Sequence, residues 1–159
     1  MKSYLKLAGM TLGVLAVAMT ITRAEASSCS QAALAGKWAY TYSGTISIPD
    51  WVAVVSVGRF HQDAAGNLDG GQTRSVAGSP AAEEISGIIK VNVNTDDCSA
   101  TGTINAGVDG VVQRTAIVAL AYDQDGNHMR GIFQLLTAAN GTNLPVVITI
   151  DGSRVNTKN

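Results

Sequence analysis

The chain has 159 residues and a formal net charge of −1, with 11 Lys and Arg against 12 Asp and Glu. The basic residues are scattered singly, which excludes the basic stripe that a nucleic-acid-binding surface uses to neutralise phosphates. We therefore expect no nucleic-acid partner. The part of the chain that follows residue 26 has the length of one ordinary domain, roughly 100–200 residues.

The first 26 residues have the features of a signal peptide. Lys2 and Lys6 give a positive start, residues 7–21 are largely apolar, and Ala24-Glu25-Ala26 has the small-x-small pattern of a cleavage site. Cleavage there would leave one exported domain, residues 27–159, in the periplasm or outside the cell. An uncleaved anchor is the alternative. The apolar stretch is shorter than the roughly 20 residues of a membrane-spanning helix, so we expect no transmembrane segment.

Cys29 and Cys98 are the only cysteines. Export would bring them into an oxidising compartment, where disulfides form and persist, so we predict a bridge between them. Lipid attachment at Cys29 is the alternative, because residues 26–29 loosely resemble a lipobox. The residue three positions before the cysteine is usually Leu, however, and here it is Ala26.

After residue 36, short runs of Val, Ile, Thr and aromatic residues recur eight times, separated by Gly, Asp, Asn and Pro. Residues 30–34 precede them with the pattern of one helical turn, which Gly36 ends. No long amphipathic helix follows the leader. The predicted strands are 37–45, 51–61, 68–76, 85–94, 100–105, 111–122, 128–137 and 144–151.

Two connecting regions carry specific expectations. Gly70 and Gly71 predict a bulge or a strong bend within the third strand. Residues 79–84 are interpreted as a loop with a helical turn at 81–84, which makes Glu83 and Glu84 solvated loop charges. The pair Asp96-Asp97 is given the same interpretation.

Eight consecutive short strands predict an all-β domain, and more specifically an eight-stranded antiparallel up-and-down β-barrel. Closing such a meander into a barrel removes both exposed sheet edges, which would otherwise pair with other chains.

The start of the first strand resembles a known family signature. Gly36-Lys37-Trp38, at the head of an exported eight-strand meander, resembles the lipocalins and the wider calycin group. Residues 86–103 are also similar to small secreted bacterial proteins of unassigned function, which are taken to be lipocalin-like or allene-oxide-cyclase-like barrels. The resemblance implies that Trp38 closes one end of the barrel. It also implies that Arg154, beyond the last strand, packs on Trp38.

Few residues suggest catalysis or metal binding. His61 and His128 lie in or beside predicted turns and are interpreted as surface residues, so no catalytic residue and no cofactor is assigned. Asp123-x-Asp125-Gly126-Asn127 is similar to the start of a calcium loop, but its twelfth position is Gln134 in a strand rather than a bidentate Glu. It is interpreted as a turn. With both cysteines in a disulfide, no Cys/His metal site is expected.

The stripe of Trp38, Tyr40 and Tyr42 on the first strand is the candidate ligand site, because inward rings with polar tips suit a small amphipathic molecule. The alternative is that these rings simply fill the barrel. Of the three strand arginines, Arg59, Arg74 and Arg114, one turned inward could pair with an anionic ligand, although a surface position is the favoured interpretation.

The second, sixth and eighth strands are apolar on both faces. Something should cover their outer faces, either a second copy of the chain in a homo-oligomer or the loop at 79–84. Three functions remain open. The first is a non-catalytic barrel that binds a small hydrophobic or amphipathic ligand. The second is a cyclase or isomerase of the allene-oxide-cyclase-like kind, and the third is a structural or protein-interaction module.

Overall fold

The computed structural model describes residues 29–92 and 97–155, and these residues form strands and turns without any α-helix. The predicted leader, 1–26, lies outside the described residues. So do residues 93–96, which include the end of the predicted fourth strand and Asp96 of the turn that follows it. No described helix has the length and apolar character needed to cross a membrane. The strands are β1 (Gly36–Ser47), β2 (Trp51–Gln62), β3 (Asn67–Val76), β4 (Ser79–Val91), β5 (Ser99–Val108), β6 (Val111–Tyr122), β7 (His128–Ala138), β8 (Asn143–Leu144) and β9 (Val146–Arg154).

The strands form one closed antiparallel barrel in up-and-down order. Each strand from β1 to β7 pairs with the next one along the chain, and β9 lies between β7 and β1. The first strand is therefore bonded to the last, with Trp38 opposite Arg154 and Ile46 opposite Val146. This confirms the predicted fold class.

The eighth strand of the barrel is interrupted at Pro145, which separates β8 from β9. Proline has no backbone N–H to give to a ladder. Its carbonyl still accepts a hydrogen bond of 3.0 Å from the backbone N–H of Ser47. The β1 side of the ladder therefore continues past Pro145, and the barrel remains eight-stranded.

The prediction of a loop and helical turn at 79–84 is wrong. Ala77 and Gly78 have φ angles of 47° and 87° and form a tight two-residue hairpin turn, which requires positive φ at both positions. Strand β4 therefore begins at Ser79. An alanine in the left-handed region is uncommon, and so the sequence gives little sign of this turn. As a consequence, Glu83 and Glu84 point to opposite faces of a strand.

Of the predicted bulge or strong bend at Gly70 and Gly71, the bulge is wrong, because β3 keeps an unbroken register with both neighbours through these residues. Gly70 instead permits a close approach: a Cβ there would lie 2.1 Å from the carbonyl oxygen of Arg59 on β2. The two strands therefore approach closely at this point without an extra residue.

One end of the barrel, here called the closed end, is covered by the turn at residues 30–34. The backbone N–H of Leu34 donates to the carbonyl of Ser30, and the hydroxyl of Ser30 accepts from Ala33 N–H. The predicted disulfide is confirmed: Cys29 and Cys98 are bonded, and their Cα atoms are 5.3 Å apart. A disulfide-bonded Cys29 has no thiol for a lipid, so the lipid alternative does not fit this structure.

Candidate ligand-binding site

The closed end is filled by aromatic side chains around Trp38, which is fully buried. Its ring stacks on Phe60 with centroids 6.3 Å apart and meets the edge of Tyr122 at 5.5 Å. The indole N–H donates a 3.1 Å hydrogen bond to the carbonyl of Leu34. Trp38, Phe60 and Tyr122 thus form an aromatic layer across this end of the barrel.

Arg154 lies over the Trp38 ring at the closed end, with its guanidinium carbon 5.2 Å from the ring centroid. Its Nη1 and Nη2 groups donate to the carbonyls of Ala35 and Ala33, at 2.8 and 2.6 Å. Its Nε donates to the carbonyl of Gly126 at 3.3 Å. The arginine thus joins the 30–34 turn to the β6–β7 hairpin and holds the closed end together.

Beyond the aromatic layer lies a cavity of about 70 Å³, here called the inner cavity. Of the predicted site residues, Tyr40 and Tyr42 line the inner cavity. Trp38 lies at the closed end and is not among the lining residues. Two further polar side chains, Gln72 and Arg114, face the same space. The apolar wall includes Leu68, Ile85, Ile89, Val118, Leu120 and Met129.

A second cavity of about 180 Å³, here called the outer cavity, adjoins the first toward the opposite end of the barrel. The two cavities share Tyr42, Arg114 and Phe133 as lining residues. Ile48 lines the outer cavity and is 51% exposed, so this cavity reaches the surface near the β1–β2 turn. The outer cavity is therefore accessible to solvent at the end of the barrel opposite Trp38.

A charged cluster stands at the boundary between the two cavities. The Glu83 carboxylate accepts from Nε of Arg74 at 3.0 Å and from Nη1 of Arg114 at 2.6 Å. The second guanidinium nitrogen of Arg114 donates to the other carboxylate oxygen, which completes a bidentate pair. The Glu83 side chain is only 3% exposed. Its prediction as a solvated loop charge is wrong.

The surface interpretation of the strand arginines is correct for Arg59 only, which is exposed on the outer face of β2. Arg74 and Arg114 are 22% and 12% exposed at their side chains and turn inward. When β4 begins at Ser79, the alternation of inward and outward side chains places Glu83 on the same face as Ile85. The Glu83 side chain is then predicted to point into the barrel. The charged cluster was therefore not predicted because the hairpin turn before β4 was not predicted.

The carboxylate of Glu83 stays ionised in this setting. Burial alone would raise its pKa, but the hydrogen bonds and positive charges of Arg114, Gln72 and Arg74 outweigh burial and lower the pKa to about 2. At neutral pH the cluster thus contains two guanidinium groups and one carboxylate, leaving a net charge of +1.

Tyr40 is bound to this cluster through Gln72. The Tyr40 hydroxyl donates to the Gln72 side-chain oxygen at 2.6 Å, and the Gln72 amide donates to Glu83 at 2.7 Å. Burial raises the pKa of Tyr40, so its hydroxyl remains a neutral donor. Gly58 gives the ring its space, because a Cβ there would lie 2.7 Å from Tyr40 and 2.8 Å from Gln72.

The other candidate groups lie away from the cavities. His61 is on the outer face, 3.9 Å from Asp69, and His128 is exposed. The Asp123 carboxylate accepts hydrogen bonds from the backbone N–H groups of Asn127 and His128, so it closes a turn as predicted. Within the described ranges, no three His, Cys, Asp or Glu residues are grouped so as to hold a metal ion.

Comparisons with known proteins assign no family to this chain. No protein-family model matches this sequence, and no curated protein matches it. Among solved structures, the chain is similar to EF1p2_mFAP2b bound to DFHBI, with 16% sequence identity, 80% of this chain and 99% of that chain covered, and a TM-score of 0.49. A likeness at this level does not indicate what this chain binds.

Proposed function

We propose that this protein is an exported, non-catalytic, lipocalin-like barrel that binds a small amphipathic molecule in its interior. The observation that carries the proposal is the pair of adjoining cavities, closed at the Trp38 end and reaching solvent near Ile48. Apolar walls with a few convergent polar groups are the usual composition of small-molecule sites. Here those groups are Tyr40, Gln72 and Arg114.

The volumes limit the size of the ligand. Typical ligand pockets are about 300–1,000 Å³, and an apolar cavity of about 150 Å³ holds one benzene ring. The inner and outer cavities measure about 70 and 180 Å³. The ligand that fits without rearrangement therefore has an apolar body of about one ring or a short chain.

This geometry refines the predicted site. Tyr40 and Tyr42 are proposed to contact the ligand, because both line the inner cavity. Trp38 is proposed to act as a structural floor that is stabilised by Arg154. Export is supported by the leader-like start of the sequence and by the disulfide, a bond typical of oxidising compartments.

The first experiment is native mass spectrometry of the protein purified from its own host, repeated after denaturing extraction and refolding. The proposal expects additional mass in the native sample that disappears after extraction, which would also identify the ligand class. A native mass equal to that of the bare chain, together with no binding of small lipophiles to the refolded protein, would contradict the proposal.

A cavity-filling variant tests whether binding occurs inside the barrel. Ala116 is buried and lines the inner cavity, so Ala116→Leu should occupy the space and weaken binding at least tenfold. Ala121→Leu on the same strand is the matched control, because Ala121 is exposed on the outer face and should leave binding unchanged. Equal binding by both variants would place the ligand outside the barrel.

Association of several copies is a second proposal, and the outer face of the barrel supports it. Val55, Val57 and Val147 are 52%, 60% and 66% exposed, and β1 lies between the two strands that carry them. The alternative cover by residues 79–84 does not apply, because these residues are part of β4. The same native mass spectrum reports the oligomeric state, and a strictly monomeric mass would contradict association.

A further inference from the structure

The charged side chains of the cavity walls restrict the chemistry of the ligand, whereas the cavity volumes restrict only its size. Arg74 lines the outer cavity and Arg114 lines both cavities, and no Asp, Glu or Lys among the described residues lines either one. The compensating carboxylate, Glu83, lies behind the arginines and is 3% exposed at its side chain. A ligand in the barrel would therefore meet positive charge only.

The two arginines differ in how many of their guanidinium N–H groups bind Glu83. Arg114 uses both of its terminal nitrogens in a bidentate pair with the carboxylate. Arg74 gives only its Nε to Glu83, and within residues 29–92 and 97–155 its two Nη groups donate no hydrogen bond. Arg74 thus retains the side of the guanidinium fork that recognises a planar anion.

We infer, building on the proposed ligand-binding function, that the ligand is a monoanion whose carboxylate is bound by the free Nη groups of Arg74 beside the Arg114–Glu83 pair. The apolar body of the ligand then extends past Tyr42 and Phe133, which line both cavities. One added negative charge neutralises the net +1 of the cluster. A doubly charged phosphate monoester would overcompensate it, which favours a carboxylate.

Burial strengthens this recognition. The side chain of Arg74 is 22% exposed, so it is partly removed from water, and a charge-assisted hydrogen bond is stronger there than at an open surface. The tyrosines add no competing negative charge, because burial raises the pKa of both Tyr40 and Tyr42 and keeps them neutral.

The test uses three probes with one apolar body and different head groups: 3-phenylpropanoate, 3-phenylpropanol and 3-phenylpropylamine. Affinities for the refolded full mature protein are measured at pH 7 by calorimetry. We expect the acid to bind at least tenfold more tightly than the alcohol, about the factor that one hydrogen bond to a charged group supplies. The amine should bind more weakly than the alcohol.

The variant Arg74→Gln should lower the affinity for the acid about tenfold more than it lowers the affinity for the alcohol. Arg59→Gln is the matched control, because Arg59 is exposed on the outer face and its loss changes the net charge equally. If Arg74→Gln fails to fold, the Nε–H resonance of Arg74 in the unaltered protein should shift with the acid and not with the alcohol.

The outcomes separate the two proposals. Equal binding of the three probes, or preference for the amine, would overturn the carboxylate inference while leaving a ligand-binding barrel intact. Loss of acid affinity in Arg59→Gln equal to that in Arg74→Gln would also overturn it, since a general charge effect would then explain the preference. No binding of any probe would overturn both proposals for ligands of this size.

Discussion

Neutralising Glu83 should destabilise the barrel, because its carboxylate is the only negative charge that we find between Arg74 and Arg114 among the described residues. The pKa of Glu83 falls from 4.5 to about 2 in the fold. At about 1.4 kcal/mol for each pH unit, this shift corresponds to about 3 kcal/mol. Screening of the partly exposed arginines reduces the expected cost of Glu83→Gln to about 2 kcal/mol.

The pH dependence follows from the direction of the shift. A carboxylate whose pKa is lower in the folded state stabilises the fold above its unfolded pKa and loses that contribution as the pH falls. For Glu83 the loss occurs between about pH 4.5 and pH 2. The glutamine variant has no such proton to take up, so its stability should fall less than that of the wild type across this window.

Urea unfolding at pH 7, pH 4 and pH 2.5 measures both effects, with the fluorescence of the buried Trp38 as the signal. Asp63 and Asp123 also have lowered pKa values, and the difference between wild type and variant removes their shared contribution. Glu84→Gln is the control, because Glu84 is exposed and its loss should cost less than about 0.5 kcal/mol. Equal stability of Glu83→Gln and wild type at pH 7, with equal pH slopes, would refute the reasoning.

Two further changes test the contributions of the disulfide and of Gly58 to the stability of the barrel. Replacing Cys29 and Cys98 by Ser should lower the free energy of unfolding by roughly 4 kcal/mol, because the bridge closes a loop over a sequence separation of 69. Urea unfolding of the wild type with and without a reductant measures the same difference. Equal stabilities in the two conditions would contradict the prediction. Gly58→Ala should cost about 1–3 kcal/mol by forcing Tyr40 out of place, measured by urea unfolding and by the Tyr40 ring resonances. The matched change Gly71→Ala meets its nearest neighbour at 3.5 Å and should cost less; equal costs would argue against crowding at Tyr40.

Local signals in the sequence were sufficient for the architecture. The alternation of Trp38, Tyr40 and Tyr42 predicts one shared inward face, and all three have side chains inside the barrel. Turn residues of strong preference, such as Asp63 and Asp123, delimit the hairpins because their carboxylates bind the backbone of the turn itself. The two cysteines predicted a bridge because no other cysteine competes for either of them.

The charged cluster was beyond such local signals. The turn at Ala77 and Gly78 has alanine at a position where Asn, Asp or Gly is usual, so the start of β4 and the inward direction of Glu83 were missed. Even with the correct strand, the sequence does not show that Arg74 on β3 and Arg114 on β6 meet one carboxylate on β4. That meeting depends on the curvature and register of several strands together.

The sequence by itself thus determined the all-β barrel, the order of its strands, the aromatic inward face and the disulfide, because each depends on periodicity, turn chemistry or residue counts within short segments. Only the tertiary structure decided how much of the interior is filled, which side chains line the remaining space and what charge they present. Those properties arise where side chains from distant strands converge, and closing the barrel brings them together.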